Sequence, residues 1–322
     1  MFDFFKNKHV LVTGGTGFIG SNLIYTLKQH GAKIRIASSG MRQIDWELEY
    51  DEFCKGNLIN LNFCKEIVKD IDCVFHVAAQ GFTSISDPNQ SKYDFNTNML
   101  INANMFNACR DGDPQYFQFV SSVNVCDAGS SILSDEIPWK SHPHDAQKYF
   151  AWTKRMGELQ LQSIHELGFF KGSIVRIGAA YGPKDNFELK TARVIPSIIS
   201  KIHDNSDALQ VWGSGNALRS FVYIDDVVES MLLCMEKYST SDPLNIGSSQ
   251  STSISDLVTI IHNLCKSSKK IIFDTSKPEG IPKITITTDK TKSKIGWSSK
   301  ISLENGLSKT IEWYKKNILK PN

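Results

Sequence analysis

Little in this sequence of 322 residues would mark a membrane, secreted or nucleic-acid-binding chain. No apolar run approaches the roughly 20 residues that a membrane span needs. The opening MFDFFKNKHVLVTGG has neither a long apolar stretch nor a small-residue cleavage site, so no secretory signal is expected. An excess of one charge is also missing: 36 Lys and Arg against 34 Asp and Glu leave a net +2, which gives no reason to expect nucleic acid as a partner. The lysine-rich stretches at 266–270 and 290–294 read as solvated surface. Seven cysteines, scattered and never spaced Cys-x-x-Cys, supply neither a disulfide framework nor a zinc site; they point to reduced thiols in a cytoplasmic protein. His142 and His144 flank Pro143 without an acidic or thiol partner at ligand spacing, so no metal is expected. Repeats and low-complexity segments are missing too.

What is present is an ordinary globular composition, 41% hydrophobic and 22% charged, long enough for a substantial core. Five short runs read as strands: HVLVTGG (9–15), KIRIAS (33–38), DCVFHVAA (72–79), YFQFVSS (116–122) and GSIVRIG (172–178). They are almost continuously apolar, as strands buried on both faces of a parallel sheet must be. Helical periodicity fills 20–31, about 91–111 and about 145–167. The alternation predicts an α/β fold, a doubly wound parallel Rossmann sheet with a smaller, discontinuous C-terminal substrate lobe. Residues 1–182 and 220–249 are assigned to the dinucleotide-binding domain, 183–219 and 250–322 to the lobe.

VTGGTGFIG places Gly14, Gly17 and Gly20 directly after the first strand and at the start of a helix, with Thr16, Phe18 and Ile19 between and beside them. Such spacing allows a tight turn, close backbone approach to a pyrophosphate, and a helix N-terminus aimed at its charge. A dinucleotide is therefore the expected cofactor. An acid at the end of the second strand would hold the adenosine 2′-hydroxyl; here RIASSGMRQ supplies Ser38, Ser39 and Arg42 instead, with Arg35 a second candidate cation for a 2′-phosphate. NADP is preferred, NAD second. Asn57 and Leu58 are expected near the adenine, and Ala78 and Ala79 against the cofactor backbone.

These segments, together with FVSSVNVCD, YFAWTKRMGE, AAYGP, WGSGNALRSFVYIDDV and LNIGSS, resemble the extended short-chain dehydrogenase/reductase (NAD-dependent epimerase/dehydratase) family of nucleotide-sugar enzymes over nearly the whole chain. The likeness is greatest to its GDP-L-fucose synthase-like members. It implies a Ser/Thr–Tyr–Lys catalytic set, a nucleotide-diphospho-sugar substrate and a homodimer built from the helices at 91–110 and 146–167. By motif, Ser122 takes the serine position, and Lys154 followed by Glu158 takes that of the lysine. The tyrosine position, four before the lysine, is Phe150; Tyr149 is five before it. On an α-helix, positions four apart lie about 40° apart around the axis and positions five apart about 140°. Phe150 therefore shares the face of Lys154 but carries no proton. Three readings stay open: an engineered Tyr→Phe change, a π-bulge that brings Tyr149 into register, and a natural member with another acid/base or lost activity.

The resemblance also narrows the reaction. Val123 and Asn124 stand where sugar-nucleotide dehydratases of the family carry Asp-Glu, so dehydration is not expected. Asn124 and Arg193 stand where the fucose synthases carry the cysteine and histidine of double epimerisation, and neither titrates near neutral pH; Cys126, His142 or His144 remain as substitutes. What survives is NADP-dependent reduction of a nucleotide-linked 4-keto-6-deoxy sugar at C4, with GDP the favoured nucleotide. The alternatives are a 4-epimerase with tightly bound NAD and a non-catalytic nucleotide-sugar or dinucleotide binder. The substrate is expected to meet Ser122, Asn124, Asn186, Arg193, Val194, Trp212, Arg219 and Lys283, with Arg219 on the diphosphate.

Overall fold

A computed structural model of the chain describes all residues except 1, 41–47, 81–89, 128, 130–131, 135–138, 140, 278–282 and 320–322, and leaves out the side chains of 90, 91 and 146. The first half runs β1 (His9–Thr13), α1 (Phe18–Gln29), β2 (Lys33–Ser38), β3 (Glu52–Lys55), α2 (Leu61–Ile67), β4 (Cys73–His76), α3 (Gln90–Gly112) and β5 (Tyr116–Ser122). It continues through β6 (Ile132–Leu133), α4 (Lys148–Glu166), β7 (Lys171–Ile177) and β8 (Ala179–Tyr181). The remainder comprises α5 (Val194–Ile202), β9 (Ala208–Trp212), β10 (Leu218–Arg219), β11 (Phe221–Tyr223), α6 (Ile224–Lys237), β12 (Leu244–Ile246), β13 (Thr252–Ser253), α7 (Ile254–Leu264), β14 (Lys270–Asp274), β15 (Thr285–Ile286), α8 (Asp289–Ile295) and α9 (Leu303–Asn317).

Seven strands form one sheet in the order β12-β7-β5-β4-β1-β2-β3, every pair parallel. Period-two alternation divides the apolar residues of β1 between two cores. Val10 and Val12 pack with Leu23, Ile24, Val228 and Met231 of α1 and α6. Leu11, between them, packs with Val74, Met105, Phe106 and Leu161, beneath α3 and α4. Both faces are thus covered, as the continuous apolar runs required. The strand order reverses between β1 and β4, the point at which open α/β sheets bind their ligands.

Helix ends follow local chemistry. Asn60 caps α2 by accepting from the N–H of Asn62 at 2.9 Å, Ser253 and Ser302 cap α7 and α9, and Gly296 ends α8 in the left-handed region. Beyond the main sheet, short pairs join distant segments: β8 with β11 and β9 with β14 in parallel, β10 with β13 antiparallel, β6 with β15 parallel. Among the described residues, no helix is long and apolar enough to cross a membrane.

Candidate functional site

The turn between β1 and α1 is built around its glycines. Gly14 has φ +68°, and a Cβ on it would fall 2.9 Å from the Cα of Ala78 at the end of β4. A Cβ on Gly20 would lie 2.4 Å from the carbonyl oxygen of Gly14. Gly17 is the N-cap of α1 and brings no side chain to the helix end. The start of α1, at Phe18 and Ile19, is therefore a backbone cradle without a side-chain cap, suited to a group that accepts N–H bonds such as a dinucleotide pyrophosphate. Thr16 Oγ1 lies 2.8 Å from Ser38 Oγ, joining the turn to the end of β2. Ser39 is exposed beside it. Arg42 lies outside the described residues.

Arg35 is corrected as a cofactor ligand. Its guanidinium pairs with Glu52 at 2.5 Å and donates to the carbonyls of Ile67 and Lys69 at 3.0 and 2.7 Å, so it ties β2 to β3 and the end of α2. Asn57 is exposed, with its amide oxygen held by the N–H of Ile59 at 3.1 Å. Leu58 is buried, and its carbonyl accepts from Asn104 of α3 at 3.0 Å. Ala78 touches the turn through Gly14; Ala79 is exposed at the same strand end.

Next to this cradle, β5 and α4 meet. Lys154 is buried, donates to the carbonyl of Val120 at 2.8 Å, and lies 5.0 Å from the ring of Phe119 and 5.8 Å from that of Phe150. Burial lowers its ammonium from 10.5 to about 8, against a smaller opposing pull from Glu158. Helix α4 runs unbroken from Lys148 to Glu166, and Tyr149 turns away to meet Phe95 of α3 edge-on at 5.9 Å. The π-bulge reading therefore fails, and Phe150 is the aromatic residue beside the lysine. Ser122 ends β5 and accepts the N–H of Asn124 at 3.2 Å as the cap of the short turn Val123–Val125. Ser122 thus lies two residues along β5 from Val120, whose carbonyl holds Lys154.

Glu158 has a role the sequence did not disclose. It is buried, accepts from the Ser121 hydroxyl, and forms a forked pair with Arg176 of β7, at 2.6 Å for the nearest contact. This pair fastens α4 to β5 and β7 behind Lys154 and Ser122. His76 was also missed, because a histidine inside an apolar strand reads as packing. It is buried, with Nδ1 2.8 Å from Thr13 Oγ1 and Nε2 3.1 Å from Asn102 Oδ1. The amide oxygen only accepts, so Nε2 carries the proton and the Thr13 hydroxyl donates to Nδ1. Burial, with Lys154 nearby, lowers the imidazole to about 3, and Thr13 Oγ1 accepts the N–H of Ala78 at 3.2 Å. A neutral histidine thus supports the end of β4.

The residues assigned to the sugar nucleotide fall into two groups. Arg193 pairs with both carboxylate oxygens of Asp185, at 2.9 and 3.0 Å, and its guanidinium lies 5.3 Å from the ring of Phe18. It therefore stands over the start of α1, and Val194 opens α5 beside it. Asn186 in the same loop donates to Thr191 at 2.8 Å. Asn22 of α1 reaches the carbonyl of Pro183 at 3.1 Å, joining this loop to the cofactor side. In the second group, Arg219 sits on β10 while Lys283 bridges the neighbouring Leu218 through its backbone and leaves its side chain exposed. Trp212, at the end of β9, is 43% exposed and so is not a core aromatic. Of the substitutes for an epimerising acid, Cys126 is buried, and exposed His142 lies edge-on to Trp152 at 6.0 Å. Among the described residues no cluster of three metal-ligating side chains occurs.

Sheet order, glycine turn and buried lysine together define a doubly wound dinucleotide-binding α/β protein. The model of the NAD dependent epimerase/dehydratase family matches residues 10–247, and the chain belongs to that family. Over 143 residues it is 36% identical to the putative GDP-L-fucose synthase 2 of Arabidopsis thaliana, a stretch covering 43% of this chain and 43% of that relative. The match therefore spans less than half the length of the plant protein. Over 319 residues it is 25% identical to the GDP-L-fucose synthase of Sinorhizobium fredii, covering 97% of this chain and 96% of the relative. The structure of UDP-glucose 4-epimerase from Thermotoga maritima, determined with UDP-glucose, superposes with a TM-score of 0.85 at 25% identity, covering 96% of this chain and 99% of that one.

Proposed function

We propose that this site is built for NADP-dependent reduction, at C4, of a nucleotide-linked 4-keto-6-deoxy sugar, with GDP the favoured nucleotide. The observation that carries it is the buried Lys154 ammonium, bonded to the Val120 carbonyl and 5.8 Å from the Phe150 ring, with Ser122 two residues further along β5. When bound, a nicotinamide supplies the reducing equivalent. Ser122 uses its oxygen to accept from Asn124, which leaves its hydroxyl proton for the sugar oxygen. Lys154 keeps donors beyond the one given to Val120 for a ribose hydroxyl. Its charge also favours the anion of any phenol placed at position 150. Phe150 fills that place with a ring that has no proton, so the reading treats it as a Tyr→Phe replacement in an otherwise intact site. Ser38 and Ser39, with no acid beside them, favour a 2′-phosphate over a bare ribose.

In this reading residues 1–182 and 220–249 hold the dinucleotide, and 183–219 and 250–322 the nucleotide sugar, with Arg219, Lys283 and Trp212 on the latter. Exposed Tyr93 and Leu100 of α3 and Leu159 of α4 support a homodimer closed through these helices. The free state of all seven cysteines supports a reducing compartment, the cytoplasm.

The test is the Phe150→Tyr protein with NADPH and GDP-, CDP-, dTDP- and UDP-linked 4-keto-6-deoxy sugars. Turnover of one of them should rise about 10²–10⁴-fold over the parent. It should then fall as pH passes about 8, where Lys154 loses its proton. Absence of turnover with all four sugars refutes the reductase. A second reading, a 4-epimerase holding NAD, is favoured by the likeness to the Thermotoga maritima enzyme. It is recognised by NAD that survives purification and by sugar interconversion without net NADPH loss.

A further inference from the structure

We propose that Arg155 is a positioning residue that fixes the sugar-side wall of the site, residues 123–127 and 141–143, relative to Lys154. Arg155 is 1% exposed, one residue beyond Lys154 on α4 and so about 100° around the helix from it. While Lys154 points at β5, the guanidinium spreads over the segment that follows β5. Nε donates to the Val125 carbonyl, Nη1 to the Ser141 carbonyl and Nη2 to Asp127 Oδ1, each at 2.7 Å. Asp127 in turn accepts the N–H of Ser141 through Oδ2 at 3.0 Å and forms a backbone bridge to Pro143. The indoles of Trp139 and Trp152 each lie 5.1 Å from the guanidinium carbon.

A buried guanidinium is tolerated only when its donors are met, and its planar fork prescribes where the acceptors stand. Val125 closes the short turn that Ser122 caps, with Asn124 between them. One side chain therefore sets how Ser122 and Asn124 stand against the lysine next to it on α4, and it touches neither the glycine turn nor β4 in doing so. The link to sugar binding rests on the proposed role of Ser122 and Asn124; the hold on the wall does not.

The experiment uses the full chain and the variants Arg155→Lys and Asp127→Asn, the latter keeping one oxygen acceptor while removing the charge that pairs with Arg155. Three readouts are taken: amide hydrogen exchange at 123–127 and 141–143, NADPH titration by fluorescence, and titration with GDP-, CDP-, dTDP- and UDP-hexoses. In Arg155→Lys the wall amides should exchange at least tenfold faster, NADPH affinity should stay within twofold, and affinity for the sugar nucleotide that the parent binds should drop at least tenfold. Asp127→Asn should show a smaller change of the same pattern. Unchanged exchange in Arg155→Lys overturns the proposal, as does an equal loss of NADPH and sugar affinity, which a merely structural role would give. A parent that binds none of the four hexoses refutes the nucleotide-sugar reading instead. In that case faster wall exchange with retained NADPH affinity still supports the positioning role, and any other pair of results overturns it. Should Arg155→Lys fail to fold, Asp127→Asn decides: faster wall exchange with NADPH affinity within twofold supports the proposal, and unchanged exchange overturns it.

Discussion

Replacing Lys154 by methionine, which has a similar unbranched length, should make the cofactor-free protein more stable at pH 7 and less so in alkali. The lysine is buried, and its ammonium is lowered from 10.5 to about 8 because burial penalises the charge. Each pH unit of that difference is worth about 1.4 kcal/mol, so keeping the proton at pH 7 costs the folded state about 3 kcal/mol. Methionine removes this cost and forfeits the hydrogen bond to Val120, worth about 1 kcal/mol net. The variant should therefore lead by about 2 kcal/mol at pH 7. Between pH 8 and 10.5 the unfolded parent binds more protons than the folded parent, so parental stability rises with pH. The variant lacks that rise, and its lead should shrink by about 3 kcal/mol and change sign. Urea unfolding of both proteins from pH 7 to 10.5 measures the difference, and the tyrosines and cysteines they share cancel. A gap that stays constant over this range, or a methionine variant already weaker at pH 7, refutes the assignment of Lys154 as a buried, desolvated ammonium.

Gly14→Ala must place a Cβ 2.9 Å from Ala78 at φ +68°. It should abolish NADPH binding in a fluorescence titration and lower stability by about 1–3 kcal/mol. Glu158→Gln leaves the guanidinium of Arg176 buried with a neutral partner; a loss of about 3–5 kcal/mol is expected, read as a lower urea midpoint.

What the sequence made legible follows from physics acting within a few residues. The glycine turn declares itself because only that spacing lets β1 turn into α1 beneath Ala78. The parallel strands declare themselves because burial on both faces leaves no room for alternation. That Phe150 shares the face of Lys154 while Tyr149 does not follows from regular helical rotation; that Tyr149 meets Phe95 does not. Other features depend on which distant residue a side chain meets. Arg35 looks like a phosphate ligand until β3 brings Glu52 against it. Where Arg193 stands, paired with Asp185 and over Phe18, is likewise set by the loop before it rather than by spacing. The small sheets escape for a related reason: a two-residue strand such as β10 or β15 carries no period to read. Arg155 and Glu158 are visible as residues of a motif, yet their hydrogen-bond partners come from a loop and neighbouring strands that spacing cannot reveal.

The edge strand β12 also bears on how the chain reaches this structure. It pairs with β7 through Leu244 and Val175, Asn245 and Arg176, and Ile246 and Ile177, so the outer edge of β7 stays open until residue 246 has been made. At about 5–20 residues per second, that leaves the nascent sheet with an unpaired, apolar rim for several seconds while α5 and α6 are synthesised. The contact is long-range and parallel, the combination that closes slowly. A chain cut before Leu244 would keep its glycine turn and helix α4 and still present a bare strand for other chains to pair with.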